Sequence, residues 1–128
     1  MPRLFTLEEA TALLPRLRAE VVALRDGSRE VAALRRRLAG LERLPKLNGQ
    51  AREAEEIDER LGALLRDLGA RLEAIRALGV EIKDLEHGLI DFPSLRDGRV
   101  VYLCWRVDEE RIAYWHELDA GFQGRQPL

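Results

Sequence analysis

From Ala10 onward apolar residues recur every three or four positions, at Ala10, Leu13, Leu14, Leu17, Val21, Leu24, Val31, Leu34, Leu38 and Leu41. That period keeps one stripe on one face of a helix. Thr6-Leu7-Glu8-Glu9 supplies a capping box at its start, and the stripe persists to Leu44, where Pro45-Lys46-Leu47-Asn48-Gly49 breaks the helix. Pro15 lies inside the pattern without an amide hydrogen to donate, so a kink is expected there, with Gly27-Ser28 as a second weak point. A second stripe runs from Ala54 and Ile57 through Leu61, Leu64, Leu65, Leu68, Leu72 and Ile75 to Leu78, and Gly79 is placed to end it in a left-handed cap. The short connection makes the two helices antiparallel neighbours. At 1.5 Å per residue they reach roughly 57 Å and 42 Å, so residues 7–16 overshoot the second helix and should cover whatever follows Gly79.

After Gly79 the period changes to that of strands. Val80 to Leu85 and Leu89 to Phe92 flank a turn at His87-Gly88, and Asp97-Gly98 introduces the run from Arg99 to Arg106. Asp108-Glu109 then turns the chain into Arg111 to His116. Pairing Arg106 with Arg111 puts Val101, Leu103, Trp105, Ile112, Tyr114 and His116 on one face, the expected core. It leaves Tyr102, Cys104, Arg106, Trp115 and Glu117 on the other, as the expected ligand or partner surface. The chain is therefore read as α+β in one domain: a helical hairpin over 6–78, a small mostly antiparallel sheet over 80–117, and a tail, 118–128, folding back through Phe122. Phe5, Leu13 and Leu17 should touch sheet residues such as Leu103 or Trp105.

Composition narrows the function classes. With 128 residues the chain can bury roughly two-thirds of its unfolded surface, enough for a core without staples, and its single Cys rules out an internal disulfide. No apolar run approaches the ~18–20 residues of a membrane span, and the start leads into a helix signal rather than a signal-peptide core, so a cytoplasmic location is expected. Nucleic acid and membranes are not expected partners, because the net charge is −2 and the only basic run, Arg35-Arg36-Arg37, fans around a helix. Charge is nonetheless uneven: residues 1–50 hold ten basic and six acidic side chains, and 79–128 hold six and ten. Phe5 is the only aromatic residue before position 90. Candidate chemistry therefore concentrates in the sheet half.

There, Glu81, Asp84, His116, Glu117 and Asp119, with Glu86, His87 and Asp91 nearby, offer the carboxylate and imidazole ligands used by divalent transition metals. No other cofactor is implied. His116-Glu117 lacks the helical His-Glu-x-x-His spacing, and strand neighbours point to opposite faces, so a hydrogen-bonded structural histidine is the leading reading of His116. Cys104, between Leu103 and Trp105, reads as an inert buried thiol. Arg99, Arg106 and Arg125, with Trp115, form a candidate ligand grip, set against simple pairing with nearby acids. Gly121-Phe122-Gln123-Gly124-Arg125 lacks the strand and helix of a phosphate loop.

Several segments carry a resemblance: Phe5-Thr6-Leu7-Glu8-Glu9-Ala10 with Leu13-Leu14-Pro15, then Gly88-Leu89-Ile90-Asp91-Phe92-Pro93, Tyr102-Leu103-Cys104-Trp105-Arg106, and Tyr114-Trp115-His116-Glu117 through Gly124-Arg125. Together they resemble the small bacterial family labelled domain of unknown function 2203. The resemblance implies the domain limits and a bacterial source, and no chemistry. The leading expectation is a binding or assembly module whose polar sheet face holds a ligand or partner, and the alternative is a metal-dependent enzyme. A homodimer is expected through the distal helical stripe around Val31, Leu34, Leu38, Leu41, Ile57, Leu61 and Leu64, which lies too far from the sheet to be covered by it.

Overall fold

The computed structural model describes residues 3–44 and 48–128; of the expected break Pro45-Lys46-Leu47-Asn48-Gly49 the first three residues lie outside the described residues, while Asn48 and Gly49 already belong to the second helix. Two antiparallel helices are followed by a five-stranded sheet. Helix α1, Leu7–Glu42, begins at the expected capping box, in which Thr6 Oγ1 accepts from the Glu9 amide at 3.1 Å and Glu9 Oε1 accepts from the Thr6 amide at 2.9 Å. It runs without interruption through Pro15 and Gly27-Ser28. Gly27 has a packing reason instead: a Cβ there would stand 2.6 Å from Leu68 Cδ2, so the glycine permits close approach of the helices. Helix α2 spans Asn48–Ala77, and Gly79 follows it at φ 91° as a left-handed cap. No helix among the described residues is long and apolar enough to cross a membrane.

The strands are β1 Glu81–Asp84, β2 Leu89–Arg96, β3 Arg99–Arg106, β4 Tyr114–His116 and β5 Gln126–Pro127, paired antiparallel in chain order. β2 and β3 join through Asp97-Gly98, both at positive φ (51° and 79°), the pairing that two-residue hairpins favour. β2 extends four residues past the expected end at Phe92, straight through Pro93. The Pro93 carbonyl points away from β3 and accepts from the Phe5 amide at 2.7 Å. Because N–H and C=O of one strand residue face the same side, the missing amide lies where β1 has already ended, and no ladder bond is lost. The segment before α1 thus takes over from β1, and Ser94 Oγ donates to the Phe5 carbonyl at 2.6 Å to hold it.

Most of the core lies between α1 and the inner sheet face. Phe5, Leu17, Phe92, Leu103 and Trp105 share one buried cluster against which Leu13 packs, with the Phe5 and Phe92 rings edge-on at 5.6 Å. The cluster reaches Val21 and Leu24, so the sheet covers more of α1 than the expected residues 7–16. Arg18 reinforces this contact by donating to the backbone carbonyls of Val107 and Glu109 while lying over the Trp105 ring.

A second cluster fills the distal hairpin: Val31, Leu41, Ile57, Leu61 and Leu64 are buried, with Leu34, Leu38, Ala54 and Leu68 packed against them. The helices bury most of this stripe against each other within one chain, while Leu34 and Leu38 are only half-buried. Leu65 remains 46% exposed beside it.

Gly88 closes the β1–β2 connection at φ 65°, and a Cβ there would lie 2.9 Å from Val107 Cβ. Gly98 has a similar φ, 79°, with nothing near its would-be Cβ. Gly98→Ala is therefore expected to cost about 1–2 kcal/mol, from backbone strain alone. Gly88→Ala adds overpacking of about 1–3 kcal/mol to the same strain. Urea unfolding of the two variants side by side checks this, and equal losses would show that Val107 moves aside freely.

Candidate functional site

The outer sheet face is set by the β3–β4 register. Leu103 pairs with Trp115 and Tyr102 with His116, one residue away from the expected pairing. A one-residue slip exchanges the faces of a whole strand. Trp115 consequently lies in the core at 6% exposure, whereas Tyr114 and His116, expected in the core, join Tyr102 and Cys104 outside. The cause is the connection. Val107 to Ala113 form a seven-residue loop and not a tight turn. Glu109 organises it by donating its amide to the Arg106 carbonyl (2.8 Å), accepting from the Arg106 amide (2.7 Å) and accepting at its carbonyl from Trp105 Nε1 (2.9 Å). Ile112 reaches the core from this loop without strand pairing.

On the outer face three strands each contribute one ligand-type side chain: Asp91 from β2, Cys104 opposite it on β3, and His116 from β4. Their ligand atoms all lie within 4.8 Å of one another, and this is the one such group of three among the described residues. Exposure is 1% for Asp91, 0% for Cys104 and 1% for His116. His116 Nε2 lies 2.9 Å from Asp91 Oδ2, and His116 Nδ1 lies 2.7 Å from the Glu117 carbonyl. A carbonyl only accepts, so Nδ1 carries a hydrogen, and the Nε2–Oδ2 contact needs one further proton shared between ring and carboxyl. Burial pushes the Asp91 carboxyl above its ordinary range, opposed chiefly by charge attraction and hydrogen bonding from His116. Asp91 Oδ1 is buried and has no hydrogen-bond partner among the described residues.

Two belts flank this group. On one side Tyr102 tilts against the His116 ring at 5.4 Å and donates its hydroxyl to Glu81 Oε2 at 2.7 Å, while Lys83 donates to Glu81 Oε1 at 2.9 Å and lies over the Tyr102 ring. Burial alone would raise the Glu81 carboxyl, but these donors outweigh it and hold it below the usual carboxylate range. On the other side Arg125 lies 4.2 Å from the Tyr114 ring and donates to Glu109 Oε1 at 2.6 Å and to the Cys104 carbonyl at 3.2 Å. Arg125 reaches there because the tail forms a 3-10 turn, Phe122–Gly124, and then β5, which pairs Gln126 with Trp115 and Pro127 with Tyr114.

The remaining expected site residues are engaged elsewhere. Asp84 accepts from the His87 amide at 3.1 Å and meets the His87 ring at 2.7 Å, shaping the β1–β2 turn. The Glu117 carboxylate pairs with Arg99, and Asp119 is exposed in the tail. Arg106 pairs with Asp108 at 2.6 Å and lies over Phe122, beside an open cleft of about 280 Å³ lined by Asp84, His87, Leu89, Arg106 and Phe122. Arg37 makes a two-pronged bond to Glu53 on the exposed hairpin face. Of the expected ligands, only His116 enters the buried group. Asp91, one of the nearby carboxylates, and Cys104, buried as its apolar neighbours predict, meet His116 on one face because β4 is shifted by one residue.

The Cys104 thiol is pushed from 9.0 up to about 12, first by burial and then by the negative charge of Asp91, with Arg125 opposing. The folded protein thus holds this proton more tightly than the unfolded chain. Stability from this source is intact below the unfolded value and falls as pH rises through the folded one, by about 1.4 kcal/mol per unit. In metal-free protein the wild type should lose about 2 kcal/mol relative to Cys104→Ala by pH ~10.5. Tyr102, also raised by burial, titrates in both proteins and cancels in the difference. Parallel urea curves at pH 8 and 10.5 are the check, and an unchanged difference would mean that the thiol is not buried.

No curated protein and no solved structure matches the chain. The hairpin, the sheet and the tail that carries Arg125 all fall within a single family match over residues 3–128, and the chain belongs to that family, described as uncharacterized conserved protein, DUF2203.

Proposed function

We propose that this protein is a metal-binding module whose centre is formed by Asp91, Cys104 and His116, taking a divalent transition metal of the zinc class. The observation that carries this reading is the convergence of three ligand types from three strands with a buried carboxylate oxygen, Asp91 Oδ1, left without a partner. Orphaned buried acceptors are costly, and a cation removes the cost. The donor set selects the ion: a thiolate and an imidazole favour Zn²⁺, Co²⁺ or Ni²⁺ over Mg²⁺ and Ca²⁺. Charge agrees, because one carboxylate and one thiolate neutralise a dication in a buried place. The Glu117 carbonyl supports the geometry by occupying Nδ1, which leaves Nε2 as the ligating nitrogen in the usual outer-partner arrangement.

Near-complete burial of all three side chains favours a held metal over one that turns over substrate, so binding stands ahead of the enzyme reading. The test uses untagged protein purified without chelator, with zinc measured per chain and cobalt(II) titrated as a spectroscopic probe. One metal per chain is expected, with a thiolate-to-cobalt band that is absent in Cys104→Ser. Glu81→Gln serves as a control that leaves binding intact. No stoichiometric metal after reloading, or binding that survives both Cys104→Ser and Asp91→Asn, would remove the reading.

A further inference from the structure

Arg125 is held from several directions at once. Its guanidinium lies between the Tyr114 and Phe122 rings at 4.2 and 4.7 Å, and its Nη2 is shared by Glu109 Oε1 and the Cys104 carbonyl. The side chain is 11% exposed, yet Nε is buried and has no hydrogen-bond partner among the described residues. An orphan donor, Arg125 Nε, and an orphan acceptor, Asp91 Oδ1, therefore flank the same residue, Cys104. A neutral thiol is a poor acceptor and leaves the Nε hydrogen unsatisfied, whereas a metal-bound thiolate is a good one. Both the positive charge of Arg125 and its N–H groups act on the Cys104 sulfur in the direction that favours the thiolate.

We infer that Arg125 is a positioning residue of the metal centre, its Nε–H donating to the Cys104 sulfur in the loaded state, so that metal uptake and docking of the C-terminal strap, residues 117–128, are one linked event. This rests on the metal-binding reading above. The linkage follows from the covalent path: Arg125 sits between the 3-10 turn and β5, and Leu128 donates its amide to the Ala113 carbonyl at 3.0 Å just beyond. Whatever fixes the Arg125 head also fixes that strand.

The experiment compares wild type, Arg125→Lys, Arg125→Gln and the control Arg106→Gln, each titrated with cobalt(II) and zinc. Arg125→Lys keeps charge and length but loses the planar Nε donor, and outer-partner losses of this kind typically weaken metal binding on the order of 10–100-fold. Both Arg125 variants should show that loss together with a thiolate-to-cobalt band shifted to lower energy, because an unsupported thiolate gives up electron density more readily. Arg106→Gln should match wild type in both. Hydrogen exchange on wild type provides a readout free of variant folding: zinc should slow exchange of the Gln126 and Leu128 amides. Wild-type affinity and band position in folded Arg125→Lys, or tail exchange indifferent to zinc, would overturn the inference while leaving the centre standing. Failure of wild type to bind either metal would instead overturn the metal-binding reading and this inference with it.

Discussion

In metal-free protein at neutral pH, His116→Ala should lower stability by about 3–5 kcal/mol, the range for removing one member of a buried ion-paired or proton-sharing couple. The size follows from what remains. Losing the imidazole removes the one strong partner of the buried carboxyl and leaves it only the weak Cys104 thiol donor and the more distant charge of Lys83. Asp91→Asn should behave differently, because the Asn amide donates to His116 Nε2 while His116 Nδ1–H continues to donate to the Glu117 carbonyl. It is expected to cost only about 1 kcal/mol, the net worth of an exchanged hydrogen bond. The same substitution removes the proposed anionic ligand, so it separates stability from metal affinity within one protein. Equilibrium urea unfolding with chelator present decides the comparison; near-equal losses for the two variants would mean that the couple does not share a proton as the geometry requires.

Zinc uptake by wild type should release close to two protons per ion, and affinity should therefore rise on the order of 100-fold per pH unit around neutrality. One proton comes from the Cys104 thiol, which burial keeps protonated up to about 12 in the absence of metal. The other is the proton that the His116 Nε2–Asp91 Oδ2 contact requires when Nδ1–H is given to the Glu117 carbonyl. The sign is fixed: protons and metal compete for the same three atoms, so acid favours release of the ion. Lys83 and Arg125 also face the group, each tied to its own carboxylate, Glu81 and Glu109, and remain charged throughout this range. Asp91→Asn should reduce the release to one proton and the slope to tenfold per unit. Calorimetry in two buffers of different ionisation enthalpy counts the protons directly, and a release below one in wild type would be incompatible with the proposed ligand set.

Much of the architecture is local and can be read from residue order. The Thr6-Glu9 box, the three-four stripe and Gly79 concern groups within a few positions of each other, and all three are where their spacing puts them. The Asp97-Gly98 turn is of the same kind, since its positive φ values are a property of two adjacent residues. The inward placement of Val101, Leu103 and Trp105 in β3 also follows from alternation.

What order along the chain did not determine is the β3–β4 register, and with it the centre. The choice between pairings turned on a single residue in a loop whose length is set by Glu109 hydrogen bonds and by Arg18 reaching across from α1, contacts that alternation does not encode. Both registers offer an apolar inner face; burying Trp115 in place of Tyr114 and His116 is the better one, and only three-dimensional packing weighs that difference. Likewise Leu41, Leu61 and Leu64 look uncovered along the chain, yet the close approach permitted by Gly27 lets the two helices bury them. Residue order thus determined the two helices, the strand over Arg99 to Arg106 and the Asp97-Gly98 turn before it, because these depend on near neighbours. The meeting of Asp91, Cys104, His116 and Arg125, which come from four separate segments, was decided by tertiary structure, because it depends on register and on a tail that pairs as a fifth strand.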